Sequence, residues 1–202
     1  MIKVLFIRHR NRIGNFIARY SYFKDVKNYP ILKSLAKTFC FKKSDIPLMI
    51  EGYEMLFSHT YFKILNLAFD IDFRYGVINK KEDDSAYNIV KKVDRLTIFD
   101  NVKYYGVYLE YEVNSLTYAL LKALYLASEQ YESKRLIKYD FEDLISFVLP
   151  SARGEHKAYI CSEFVYRFLY EMKIIKKLDW TDDFVISPNK LFFALLDFYP
   201  QS

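Results

Sequence analysis

Between Glu54 and Phe73 the chain keeps a period of two. Met55, Phe57, His59, Tyr61 and Lys63 alternate with Leu56, Ser58, Thr60, Phe62 and Ile64, and further on Phe69, Ile71 and Phe73 alternate with Asp70 and Asp72. Successive side chains of a strand point to opposite faces, so the pattern predicts a β-hairpin with its turn between Asn66 and Phe69 and with both carboxylates on one face. An apolar opening, Ile2 to Arg8, predicts a short buried strand, and the run through Val102 to Val113 predicts another. Between them, Lys80 to Ser85 reads as a charged loop.

Helical spacing governs much of the rest. Ile13, Phe16, Ile17 and Tyr20 recur as on one face of a helix from about Arg12 to Phe23, and Ile31, Leu32, Leu35, Ala36 and Phe39 do the same in a second segment. The second half is largely helical: Ser115 caps a segment carrying Leu116, Ala119, Leu120 and Ala123, Asp140 to Leu149 follows, and Cys161 to Met172 and the stretch opened by Ser187-Pro188 complete the set.

With 202 residues, 52% of them hydrophobic and 27% charged, the chain has the size and balance of one folded domain, 1–202. Nineteen Tyr and 18 Phe against five Gly and five Pro mean that aromatic rings fill much of the interior and sharp turns are few. The net charge of +5 is modest and its lysines are dispersed, which argues against nucleic acid as the partner. The apolar run before Arg8 is only four residues long, too short for a signal peptide, and no stretch has the length of a membrane span. Cytoplasmic residence with reduced thiols is the expectation, since nothing in the pattern requires Cys40 and Cys161 to be bridged.

Cys161 opens a helix after a polar loop, where unpaired N–H groups and the positive end of the helix dipole favour a thiolate. A small buried cysteine is the plain alternative. A thiol nucleophile needs a base, and the chain contains His9, His59 and His156. His59 lies within a rigid alternating strand, His9 sits among arginines that would oppose its protonation, and His156 lies in a loop. The acceptor that would orient the imidazole is Asp70 or Asp72, both on the returning strand.

Tyr159-Ile160-Cys161-Ser162-Glu163-Phe164-Val165 resembles the Cys-Ser-Glu-Phe-Val segment of the circularly permuted papain-like (NlpC-type) cysteine hydrolases. Further pieces fall in that family's order: the opening strand and Arg-rich helix, Phe57-Ser58-His59-Thr60, Tyr139-Asp140-Phe141, and Ser187-Pro188-Asn189-Lys190-Leu191. The resemblance implies an α+β fold in which a small antiparallel sheet carrying His59 packs on a helix begun by Cys161. It makes 29–48 a helical insertion. Asp70 stands six positions before Gly76-Val77, close to the family's spacing for its polar residue, although that residue does not map uniquely here.

The activity so implied is cleavage of an amide or ester bond through a thioacyl intermediate, on a peptide, cell-wall or lipid acyl substrate. It calls for no cofactor and no metal. Family resemblance is equally compatible with a catalytically silent structural or interaction protein, for example a virion or secretion-system component, and with association at a membrane surface.

Overall fold

A computed structural model describes residues 1–28, 49–50, 53–72, 76–93, 96–132, 160–176 and 186–197. The central strand is β1 (Ile2–His9), and its sequence explains that position. Ile2, Val4 and Phe6 on one face and Leu5 and Ile7 on the other are all buried, as in a strand covered on both sides. It pairs antiparallel with β4 (His59–Ile64) on one side and with β9 (Tyr104–Tyr111) on the other. Gly106 in β9 faces Ile7, and a Cβ there would lie 2.1 Å from the Phe6 carbonyl oxygen, so this approach needs glycine.

The sheet is completed by β5 (Leu67–Asp72), β6 (Gly76–Lys81), β7 (Asn88–Val93) and β8 (Leu96–Asp100). The order is β6-β5-β4-β1-β9-β8-β7, seven strands with antiparallel neighbours. A two-stranded ribbon, β2 (Met49–Ile50) with β3 (Tyr53–Glu54), forms a separate small sheet. Helices α1 (Arg12–Asn28), α2 (Leu116–Glu132), α3 (Cys161–Glu171) and α4 (Pro188–Asp197) make up the helical part of the described chain.

The edge strands β6 and β7 are joined by only six residues, Glu82 to Tyr87, part of which winds into a 3₁₀ turn at Asp84–Ala86. Laid flat, the sheet would hold its edges about 29 Å apart at about 4.8 Å per strand gap. So short a link reaches at most about 24 Å when fully extended. The sheet therefore curls, and the link crosses its concave face.

The opposite, helix-bearing face is aromatic. The ring of Phe62 stacks on Phe168 of α3, with centroids 4.0 Å apart, and on Phe69 of β5 at 5.2 Å. Phe6, Phe57 and Phe192 form a triangle of centroids 4.7 to 5.5 Å apart. A buried amide of α4 joins α1 to the segment before β4 beside that triangle: Asn189 Oδ1 accepts from the Phe57 N–H at 2.7 Å, and its Nδ2 donates to the Ala18 carbonyl at 3.0 Å and to Ser21 Oγ at 2.8 Å. Ser187 caps α4 by accepting the Lys190 N–H at 3.0 Å, with Pro188 at the first helical position.

The architecture is thus mixed α+β, but the sheet is larger than the small one expected. Strands occupy Gly76–Lys81, Asn88–Val93 and Leu96–Asp100, none of which the sequence suggested, while the charged loop expected at Lys80 to Ser85 overlaps β6 only at Lys80 and Lys81 and otherwise falls in the link between β6 and β7. The hairpin turn is at Leu65-Asn66, earlier than expected, with Leu65 at φ 55°. The proposed insertion at 29–48 with Cys40, the helix at 140–149, and the loop containing His156 lie outside the described residues.

Candidate active site

β4 and β5 keep their ladder from Ile64↔Leu67 to Phe62↔Phe69, and beyond it they no longer pair with each other, while β4 continues along β1 to His59 and β5 along β6 to Asp72. The next step of that register sets Tyr61 across from Asp70, so His59 reaches Asp70 on the diagonal, within range of long side chains. His59 Nε2 lies 2.6 Å from Asp70 Oδ1, and both side chains are mostly buried. The Asp72 side chain lies outside the described residues.

Helix α3 packs on β4 and β5. Its first residue is Cys161, a free and buried thiol. The thiol lies near enough to the His59 imidazole to act on its charge. Burial alone would disfavour the imidazolium. The Asp70 carboxylate, and after it Cys161, reverse that and hold the His59 pKa well above the ordinary histidine value. For Asp70 burial acts upward, and the His59 charge, aided by Lys80, outweighs it and lowers the pKa.

The start of α3 is fixed by two side chains. Glu163 Oε2 accepts the Ile160 N–H at 3.1 Å, as the third-residue carboxylate of a capping box does. Ser162 Oγ donates to the Ile186 carbonyl, which ties this end of α3 to the residues leading into α4. The helical ladder begins with the Phe164 N–H to the Ile160 carbonyl at 3.1 Å. The N–H groups of Cys161, Ser162 and Glu163 precede it, and those of Cys161 and Ser162 are available by helix geometry to meet an anion near the sulfur.

A second histidine, dismissed on its neighbours in the sequence, belongs to this neighbourhood. His9 Nδ1 lies 3.0 Å from Ser58 Oγ, and its ring centroid is 6.0 Å from that of His59. The flanking arginines do not crowd it. Arg8 Nε donates to Asn15 at 2.8 Å on the other face of β1, and Arg10 is held by Asp100 at 2.5 Å. Strand parity is the signal that would have shown this, because His9 shares a face with Leu5 and Ile7 while Arg8 does not.

The same parity places Tyr61 and Lys63 beside His59 on the concave face. Tyr61 and Tyr87 both donate to Glu82 Oε2, at 3.1 and 3.2 Å, and the Tyr87 hydroxyl lies 3.2 Å from that of Tyr61 and 3.0 Å from that of Tyr104. Lys63 Nζ donates to Asp84, and Lys3 donates to the other oxygen of that carboxylate at 2.9 Å. These contacts pin the 82–87 link to the floor of the curl. Burial, first, raises the pKa of the Tyr61 and Tyr87 hydroxyls far above the ordinary phenol value, so both stay protonated donors.

No family model, curated protein or solved structure matches the chain. Among the described residues no helix is long and apolar enough to cross a membrane, and no group of His, Cys, Asp and Glu side chains is arranged to hold a metal ion.

Proposed function

We propose that this protein is a cysteine hydrolase that cleaves an amide or ester bond through a thioacyl intermediate, on a permuted papain-like fold of the NlpC type. The observation that carries the reading is the contiguity of three groups from three elements: the Cys161 thiol at the start of α3, the His59 imidazole on β4 and the Asp70 carboxylate on β5. A buried structural cysteine has no need of an imidazole that is itself oriented by a buried carboxylate.

The chemistry follows from that order. His59 takes the thiol proton, Asp70 stabilises the resulting imidazolium through Nε2–H, and the sulfur attacks the acyl carbon. The oxyanion lies near the backbone N–H groups that open α3. Collapse of this intermediate breaks the bond to the leaving amine or alcohol, which takes the proton from His59. Water then gives a proton to His59, attacks the thioester carbonyl and releases the acid, and that proton returns to the sulfur. Asp70 is the positioning residue, since it acts only through His59.

The test is acyl trapping. Incubated with a p-nitrophenyl ester, the protein should gain one acyl mass located on Cys161 and release nitrophenol in a burst. Cys161→Ala should show neither, and His59→Ala should slow both by at least about a hundredfold. A protein that folds but never acylates Cys161 with activated esters or amides would overturn the hydrolase reading and favour a silent structural role.

A further inference from the structure

Single apolar side chains on a surface are ordinary. Three of the most exposed ones in the described chain, however, gather around the end of the sheet at which His9 and His59 stand. Val102 is 95% exposed in the turn between β8 and β9, and Ile13 and Phe16 of α1 are 72% and 58% exposed. The Arg10 N–H donates to the Lys103 carbonyl at 3.0 Å, which sets that turn against the junction between β1 and α1. The helix is likewise bound to the site's end of β1: a Cβ on Gly14 would lie 2.6 Å from the His9 Cβ.

The helix itself is oriented by its buried residues. Gly14, Ala18, Ser21 and Tyr22 face the protein, so Ile13, Phe16 and Tyr20 share the outward face, with Phe16 stacked on Tyr20 at 5.7 Å. Arg12 and Arg19 are exposed along one side of that stripe, and Lys103 is exposed beside Val102. Asp100, at the end of β8 beside that turn, accepts from Arg10 at 2.5 Å and from the Tyr53 hydroxyl at 2.9 Å. Apolar side chains that project between cationic ones are the composition of an interfacial anchor, in which the apolar groups enter the acyl boundary and the cations meet anionic headgroups.

We propose that this rim docks on the surface of an anionic phospholipid bilayer, with Ile13, Phe16 and Val102 inserted and Arg12 and Lys103 at headgroup level. Docked in this way, Cys161 meets acyl esters or amides held in the bilayer, which narrows the substrate class of the proposed hydrolase to lipid-borne acyl groups. That narrowing rests on the hydrolase reading, while the docking does not.

The experiment uses the full chain as the Cys161→Ala variant, so that binding is read without turnover. It is sedimented with vesicles of phosphatidylglycerol and phosphatidylcholine, and with vesicles of phosphatidylcholine alone. Binding to the anionic vesicles, weakened by salt, is expected. Ile13→Glu/Phe16→Glu should lower it at least tenfold, and Arg12→Glu/Lys103→Glu should remove the preference for anionic lipid. Ile89→Glu, at an equally exposed apolar residue on edge strand β7, should leave it within about twofold. Circular dichroism checks that each variant is folded.

Absence of binding, or an equal loss with Ile89→Glu, overturns the proposal. So does a lipid-free dimer that Phe16→Glu converts to monomer, because the face would then be a protein contact. With Cys161 restored, Ile13→Glu/Phe16→Glu should retain turnover of a soluble ester and lose that of a vesicle-borne one. Vesicle binding without acylation of any ester would end the hydrolase reading and leave docking intact, whereas turnover without vesicle binding would do the reverse.

Discussion

The two faces of β4 obey different rules although their residues interleave along six positions. Thr60, Phe62 and Ile64 point into a packed layer under the helices, where Phe62 lies between two other rings. His59, Tyr61 and Lys63 point into the curl of the sheet, where each meets a partner by hydrogen bond or charge. The first face is held by excluded water and dense packing, and it fixes where α3 lies. The second combines a smaller buried cluster, Leu5, Ile7, Tyr61, Ala68 and Phe99, with directed contacts whose value depends on every partner staying in place. A site that needs a base held to a fraction of an ångström gains from having both on one strand, because packing on one side immobilises the chemistry on the other.

This contrast is sharpest at Phe62, where the largest stability effect is expected. Phe62→Ala removes a ring stacked on Phe168 and Phe69 and should cost about 3 to 5 kcal/mol in urea unfolding. Should the loss be under about 1 kcal/mol, the helix-bearing face would not be the packed layer described. On the other side of the strand, Asp70→Asn should leave stability much less affected and reduce turnover by roughly ten- to a thousandfold, or about 1.4 to 4 kcal/mol of transition-state stabilisation. Loss of Cys161 should exceed that. Asp72→Asn should be nearly silent, and the opposite ranking of the two carboxylates would move the orienting role to Asp72.

Acid and base should distinguish the faces as well. His59 has its pKa raised in the folded protein, so its stabilising contribution is complete below the unfolded value of about 6.5 and is lost as pH rises through the folded value. Asp70 has its pKa lowered, so its contribution is present above about 3.8 and is lost as pH falls through the folded value. The stability difference between the wild type and His59→Gln should therefore be greatest between about pH 4 and 6.5, and fall on the alkaline side by no more than about 1.4 kcal/mol per pH unit. Phe62→Ala should show a difference from wild type that is flat across the same range.

How much of this could be read in the sequence depended on whether the signal was local. Period-two alternation marks the His59 strand and the returning carboxylates without reference to any other element. The choice of Asp70 over Asp72 required the register, and the turn hid it: the chain reverses at Leu65-Asn66 without a glycine, with Leu65 in a conformation uncommon for its type. The strands at 76–81, 88–93 and 96–100 were missed because the outer ones are edges. Lysines at 80, 81, 91 and 92 and the exposed Ile89 and Val90 replace the clean inward-outward alternation of a half-buried strand. His9 was judged on Arg8 and Arg10, its neighbours in sequence, whereas its neighbours in space are Ser58, His59 and Tyr104. The curl, which turns a charged loop into the lid of the concave face, is a property of closure and has no local signature.

The smallest expected effect tests that lid. The Tyr87 hydroxyl meets Glu82, Tyr61 and Tyr104 at 3.0 to 3.2 Å, so Tyr87→Phe removes one oxygen from three contacts and leaves the ring, which packs edge-on against Phe99 at 5.1 Å. Glu82 keeps its contact from Tyr61 and its 3.2 Å ion pair with Lys80, which limits the damage to about 0.5 to 1.5 kcal/mol of stability. The link carries Asp84, to which Lys63 and Lys3 both donate, so loss of the hydroxyl should loosen the Tyr87 end and spare the Asp84 end. Amide hydrogen exchange should then rise at residues 86 to 88 and stay unchanged in β1 and β4. Because Tyr61 stands next to His59 on the same face, with ring centroids 6.2 Å apart, a small fall in turnover should accompany it. An increase in exchange spread over the whole sheet would mean that the hydroxyl cluster holds the curl itself and that the concave face, no less than the aromatic one, carries the fold.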